Sequence, residues 1–435
     1  MKKFLRVFAF FIMFALAMPW FAASSKANAQ TLSNQAVQDA EEYMNRFLDS
    51  CPNRTSFSQG EKIAAEWIAQ EFDALGLETK LQNFDGQYNG KKVSSQNVIG
   101  KLNLGYQKQV IICAHYDNLY GSDIIEGFGA EGAYNNASGV AVMLSLAKAF
   151  SELKEKNELD IQYNIVFLAA GADEMGLFGS GYYVKNMRSK EIDDTLLAIN
   201  LDCVGGGDYL YLYCDELSTE HEEFIKKIAD DRNLALRLPP ANKKTITAST
   251  PVTPYLHYGL NSSNIYFLSA GINSAHFFSR NWDTNKKIGM VESETNPSII
   301  YTKDDNRKTL KSLYGHSFVQ KMNDAANIIF YVLTDPDFVK VMEKSAANKP
   351  NYSWLTNTSL AAYVKFGLIV ILIGAVFMIV RNLNNRYPVP VITIRPSPPP
   401  TVFGEEYDNK GPGQNNINNN DNKNNNRPPN PFEGY

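Results

Sequence analysis

Apolar residues recur at spacings of three and four over 34–49, 59–75, 137–154 and 314–333, which predicts a helix in each stretch. Short apolar runs lie between them: NVIGKL (97–102), QVIICAH (109–115), YNIVFLAA (163–170), LLAINLD (196–202), YLYLYC (209–214) and NIYFLS (264–269). Several are continuously apolar, as a strand buried on both faces must be. Strands that alternate with helices predict an α/β fold, a three-layer sandwich around a mostly parallel central sheet. We expect one such domain over 30–340, with no internal repeat.

Two further apolar segments do not fit a soluble core. Lys2, Lys3 and Arg6 precede an apolar run over 7–18, and Ala27-Asn28-Ala29 then supplies the small-x-small pattern of a secretory cleavage site. Residues 1–29 therefore predict a signal peptide, with an uncleaved anchor as the alternative. The run 360–380 is broken only by Lys365 and is long enough for one transmembrane helix. Arg381 and Arg386 follow it, while 350–359 carries no Lys or Arg. The positive-inside rule then places the C-terminus in the cytoplasm. The expected localisation is the cell membrane, single-pass, with the N-terminal domain exported to a periplasmic or extracellular side. A juxtamembrane linker over 341–359 would join domain to span, and the Pro- and Asn-rich tail 381–435 predicts disorder.

Composition narrows the partners. The 435 residues are 44% hydrophobic and carry a net charge of −4, with no basic stripe, so no nucleic-acid partner is expected. The remaining expectation is a peptide or protein ligand on the exported side, plus the membrane through the span. Cys51, Cys113, Cys203 and Cys214 would meet an oxidising compartment, and the sequence does not choose among their pairings. Cys113 lies inside an apolar strand run, where a buried free thiol is the default.

Parallel α/β sheets present function beyond the carboxyl ends of their strands. Polar residues collect there in this chain: His115 and Asp117 after one strand, Asp173 and Glu174 after another, Asp202 with Gly205-Gly206-Gly207 after a third. Three strand ends bearing ligand-type side chains make a candidate site, whereas any one alone would be an ordinary core or turn residue.

Six stretches in order, CPNRTSFSQGEKIAAEWIAQEFDALGLE, AHYDN, GAYNNASGVA, GADEMGLFGS, INLDCVG and YTKDDNRKTL, resemble the co-catalytic zinc aminopeptidase family, peptidase family M28 of clan MH. The resemblance covers most of 30–340 and implies a site for two zinc ions, bridged by one carboxylate, with a Glu as general base. Carried over by motif, His115 and Asp202 match ligands of the first metal, and Asp117 matches the carboxylate behind His115. Glu174 matches a ligand of the second metal. Three positions depart from the family: Asn135 stands where the bridging Asp is expected, Asp173 where the base is Glu, and Tyr301 where the last ligand is His. An amide offers a neutral oxygen to a pair of cations that need an anion between them. His276 is an alternative donor for the missing His, and Asp123, Glu126 or Glu131 for the missing carboxylate; His257 reads as structural.

The implied cofactor is therefore one weakly held zinc ion or no metal. The leading expectation is a membrane-anchored domain with a degraded metal site that binds or scaffolds. The alternative is an active metallo-exopeptidase, an aminopeptidase with one or two zinc ions and Asp173 as base. Glutaminyl cyclase-like chemistry retains the fewest of its residues. The layout resembles nicastrin and nicalin, which join a degenerate domain of this type to one C-terminal span.

Overall fold

The computed structural model describes residues 39–119, 130–214, 219–240, 262–283 and 291–348. The segments expected as signal peptide, span and tail, together with His257, Asp123 and Glu126, lie outside them. Among the described residues, no helix is long and apolar enough to cross a membrane.

Helix α1 (39–50) buries Ala40, Tyr43, Met44, Phe47 and Leu48, a stripe with the helical period. Helix α2 (Gln59–Ala74) starts at Ser58, whose side chain accepts the Glu61 amide, and buries Ala64, Ala65, Ile68 and Phe72. Strands β1 (Glu78–Tyr88) and β2 (Lys91–Leu102) form a hairpin whose turn has Asn89 and Gly90 at φ 49° and 73°. This left-handed pair is the chemistry of a two-residue hairpin turn.

The remaining strands are β3 (Gln109–His115), β4 (Asn164–Ala170), β5 (Thr195–Asp202), β6 (Tyr209–Cys214) and β7 (Ser274–Arg280). The sheet order is β1-β2-β4-β3-β5-β7-β6. Only the central four, β4, β3, β5 and β7, are mutually parallel; β1, β2 and β6 add antiparallel flanks. The sheet is thus mixed about a parallel centre. Alternate residues of β3 face opposite ways: Val110, Ile112 and Ala114 enter the larger core, while Ile111 and Cys113 enter a smaller one with Val184 and Phe267.

Helices cover both faces. Helix α3 (Ser138–Glu155) is buried along most of its length and stacks Phe150 on Phe330 of α9 (Ser317–Leu333). Helices α4 (Phe178–Lys185) and α7 (Asn264–Ser269) cover the smaller core. The short α5 (Ser189–Asp193), α6 (Glu220–Asp231) and α8 (Arg307–Tyr314) complete the series with α10 (Phe338–Asn348), which runs across the boundary expected at 340.

Two expectations need correction. NIYFLS, expected as a strand, forms α7, because a six-residue apolar run carries no period that separates strand from helix. The strand occurs instead at Ser274–Arg280, which its polar residues disguise. His276 and Ser279 are fully buried there: Asn200 meets His276 Nδ1, and Ser279 donates to the Val204 carbonyl at 3.0 Å. The four cysteines are free and buried.

Candidate functional site

The parallel strands end level, with His115 paired to Ala170 and Asp202 to Phe278, so their following loops meet at one edge of the sheet. His115 Nε2 lies 3.5 Å from Asp202 Oδ1 and 3.8 Å from Glu174 Oε1. Its Nδ1 faces Asp117, at 3.4 Å from Oδ1. Burial opposes a charge on His115, but Asp117 and Asp202 outweigh it and hold its pKa well above the usual value. Burial acts on Asp202 too; there the charge of His115 wins and keeps the carboxyl below its ordinary range. Asp202 Oδ1 is buried without a hydrogen-bond partner.

Asp117, fully buried, acts on the neighbouring loop. Its Oδ1 accepts the Asp173 amide at 3.1 Å, and its Oδ2 accepts the Glu174 amide at 3.0 Å and the Ser56 hydroxyl at 2.5 Å. The loop 171–177 needs this support because Ala172 and Leu177 sit at φ 54° and 57°. Glu61 grips the same loop from behind. Its carboxylate accepts the Ala172 amide at 2.7 Å, the Ser95 hydroxyl at 2.8 Å and the Phe57 amide at 2.6 Å. Burial first, then the Asp117 charge, push Glu61 up to about 8 from 4.5. A carboxyl whose pKa rises on folding gives stability that is complete below its unfolded pKa and lost as pH climbs through the folded one. Chemical denaturation should therefore show stability falling as pH rises from about 4.5 to about 8. Glu61→Gln should flatten that fall; an unaltered slope would remove Glu61 as its source.

Asp173, at the family's base position, is not free. Its Oδ1 accepts the Ser180 amide at the start of α4 at 2.9 Å, its Oδ2 accepts the Ser263 hydroxyl at 2.6 Å, and the residue is 4% exposed. Burial raises it to about 6. Glu174 is raised to about 8, again by burial, and receives the Asn135 amide nitrogen at Oε1. Tyr301 stands 53% exposed at φ 60°, an unusual conformation for an aromatic residue, and the charge of Glu174 pushes its phenol well above its usual value.

Asn135 sits in a distorted turn, Ala133–Ala137, that leads into α3. Its Nδ2 donates to Glu174, and its Oδ1 accepts the Cys203 thiol at 3.2 Å. The backbone amides of Tyr134 and Asn135 reach Asp305 at 2.7 and 3.1 Å, so the last carboxylate of YTKDD positions the turn.

Several tying residues escaped the sequence reading. Asn136 donates to the His115 and Leu201 carbonyls at 3.2 and 2.9 Å and accepts the Cys203 and Gly139 amides at 2.9 and 3.1 Å. The doubled Asn before a small-residue helix start was the available signal, since Asn caps helices. Arg54 is fully buried and donates to the carbonyls of Tyr116, Cys51, Glu131 and Gly132 at 2.8, 2.9, 2.9 and 3.2 Å. Gly132 is required beside it: a Cβ there would meet Asn135 O at 2.6 Å and Arg54 Nη2 at 2.9 Å.

Of the alternative donors, His276 and Glu131 lie among the described residues, and each has partners of its own. Within β7, His276 bonds Asn200 at 2.9 Å and stacks on Phe278; its Nε2 has no hydrogen-bond partner. Burial lowers its pKa to about 4. It is a core histidine of the sheet and makes no ion pair with Glu174. Glu131 pairs with Arg307 Nε at 3.4 Å.

The donor set does not fit a two-zinc centre. Among the described residues, no group of three or more His, Cys, Asp or Glu side chains is arranged to hold a metal. His115, Asp202 and Glu174 approach one another, but the bridging position presents an amide N–H to Glu174 where a metal would need an oxygen lone pair.

Residues 97–313 match the model of peptidase family M28. The chain is 28% identical over 267 residues to the alkaline phosphatase isozyme conversion protein of Escherichia coli K12, covering 57% of this chain and 74% of that one. It is 35% identical over 148 residues to aminopeptidase YwaD of Bacillus subtilis 168, covering 33% and 28% of the two chains. The human BOS complex subunit NCLN is 32% identical over 170 residues, with 36% and 29% covered. The chain thus spans under a third of the length of these last two relatives. A zinc aminopeptidase from Bacillus subtilis shares the fold with a TM-score of 0.52 at 17% identity, over 70% of this chain and 97% of its own. The ordered motifs at the strand ends, the family match over them and the shared fold converge: this chain carries a domain of peptidase family M28.

Proposed function

We propose that this protein is a membrane-anchored, exported domain whose degraded metal site serves binding or scaffolding and does not hydrolyse peptides. One observation carries this reading. Both carboxylate oxygens of Asp173, the residue at the base position, are committed to Ser180 and Ser263 in a buried setting. A general base must lie within hydrogen-bond reach of the proton it takes, and Asp173 is spent as a link between α4 and the start of α7. Tyr301 supports the same reading, since it offers an exposed aromatic ring beside Glu174 where the family has a ligand. Aromatic side chains of this kind are favoured contacts at protein interfaces. That a relative is named as the subunit of a complex agrees with a binding role. The ligand would be a peptide or protein met on the exported side, and the anchor would be the span at 360–380.

The test is an aminopeptidase assay. Detergent-purified full-length protein is offered a panel of aminoacyl p-nitroanilides with zinc or cobalt added. No turnover above that of the His115→Ala variant is expected. Turnover that His115→Ala abolishes would establish the active exopeptidase instead.

A further inference from the structure

Asn135 does more than omit a carboxylate. We propose that its amide is an internal replacement for metal, a neutral cross-link between Glu174 and Cys203 that makes the turn Ala133–Ala137 independent of any divalent ion. This rests on the non-catalytic reading above in one respect, that the native site needs no metal.

Each end of the Asn135 side chain has a partner suited to it. The nitrogen donates to Glu174, the oxygen accepts from Cys203 at 3.2 Å, and only 6% of the residue is exposed. A carboxylate at the same place would add an anion beside Asp202, with the His115 imidazolium as the one cation among these side chains to offset it. An amide removes that repulsion and returns a hydrogen bond, because it is donor and acceptor at once. Asn136 extends the device. Its four hydrogen bonds join the ends of β3 and β5 to the first turn of α3. Two adjacent amides therefore hold the ends of β3 and β5 to the Glu174 loop and the start of α3. Nothing in this arrangement waits on a cation, since Asp305 fixes the turn's backbone from the opposite side.

The experiment compares thermal melting of the full-length protein in EDTA and in excess zinc, for the native chain, Asn135→Ala, Asn135→Asp and Cys203→Ala. The native melting temperature should be the same in both. Asn135→Ala should melt lower in both. Asn135→Asp should melt lower in EDTA and recover in zinc, because a third donor, a carboxylate, then joins His115 and Asp202. Cys203→Ala removes one end of the cross-link with the smallest change of shape, so it should show a smaller loss that zinc does not reverse; it decides the matter if Asn135→Ala does not fold. Native-like melting of both Asn135→Ala and Cys203→Ala in a metal-free native protein would overturn the cross-link and leave the non-catalytic reading standing. A native melting temperature raised by zinc would overturn both.

Discussion

Combining Asn135→Asp, Asp173→Glu and Tyr301→His is expected to turn a chain that releases zinc on dialysis into one that retains it. Groups that merely support a ligand are worth about 10- to 100-fold each in metal affinity. Two restored direct ligands should therefore tighten zinc by about a thousandfold or more. The single changes should fall short for separate reasons. Asn135→Asp leaves Tyr301 beside Glu174 and Asp173 tied to Ser180 and Ser263. Asp173→Glu lengthens the base position but supplies no ligand. Tyr301→His adds a donor while the Asn135 nitrogen still occupies Glu174. The triple variant is the smallest set from which we expect measurable aminopeptidase turnover. Competition with a chelator of known affinity reads the first claim and p-nitroanilide hydrolysis the second. Restoration of turnover by Asn135→Asp alone would show that neither Asp173 nor Tyr301 limits the site.

The second large effect lies behind the site. Among the described residues Arg54 forms no ion pair; four backbone carbonyls solvate its guanidinium, and the Phe47 ring lies 4.7 Å from it. Burial lowers its pKa to about 10, which leaves it charged at neutral pH. Arg54→Met would strand those carbonyls in the interior, and each buried group left unpaired costs about 1–3 kcal/mol. We expect a loss of about 3 kcal/mol or more in urea denaturation. Arg54→Lys should recover only a part, since an ammonium cannot reproduce a planar fork that spans 116 and 131–132 together. The functional consequence follows from place. The same fork joins the segment after His115 to the segment before Asn135, so its loss loosens both sides of the site. A melting temperature unchanged by Arg54→Met would contradict this account of the clamp.

The legible parts of this chain are those that local pattern encodes. Strands β3 and β6 begin and end where the short apolar runs do, because successive residues of each are buried whichever way they face. Strand β7 was hidden by His276, Ser279 and Arg280, polar residues whose partners belong to other strands and loops. Helix α7 resembled a strand because six apolar and aromatic residues fix no period. At the site, His115, Asp117, Asn135, Glu174 and Asp202, each singled out in the sequence, lie beside one another. What the sequence could not show is how each is held. Ser263 reaches Asp173 across 90 residues, Arg54 reaches Gly132 across 78, and Asp305 reaches Asn135 across 170. Such bonds leave no periodicity behind, and they separate a free general base from a buried structural link.

The most direct measurement is the zinc content of the purified native protein, loaded with excess zinc, dialysed against metal-free buffer and compared with His115→Ala and Asp202→Ala. The account predicts zinc far below one ion per chain, the same in all three. Stoichiometric zinc in the native protein, lost in both variants, would contradict it.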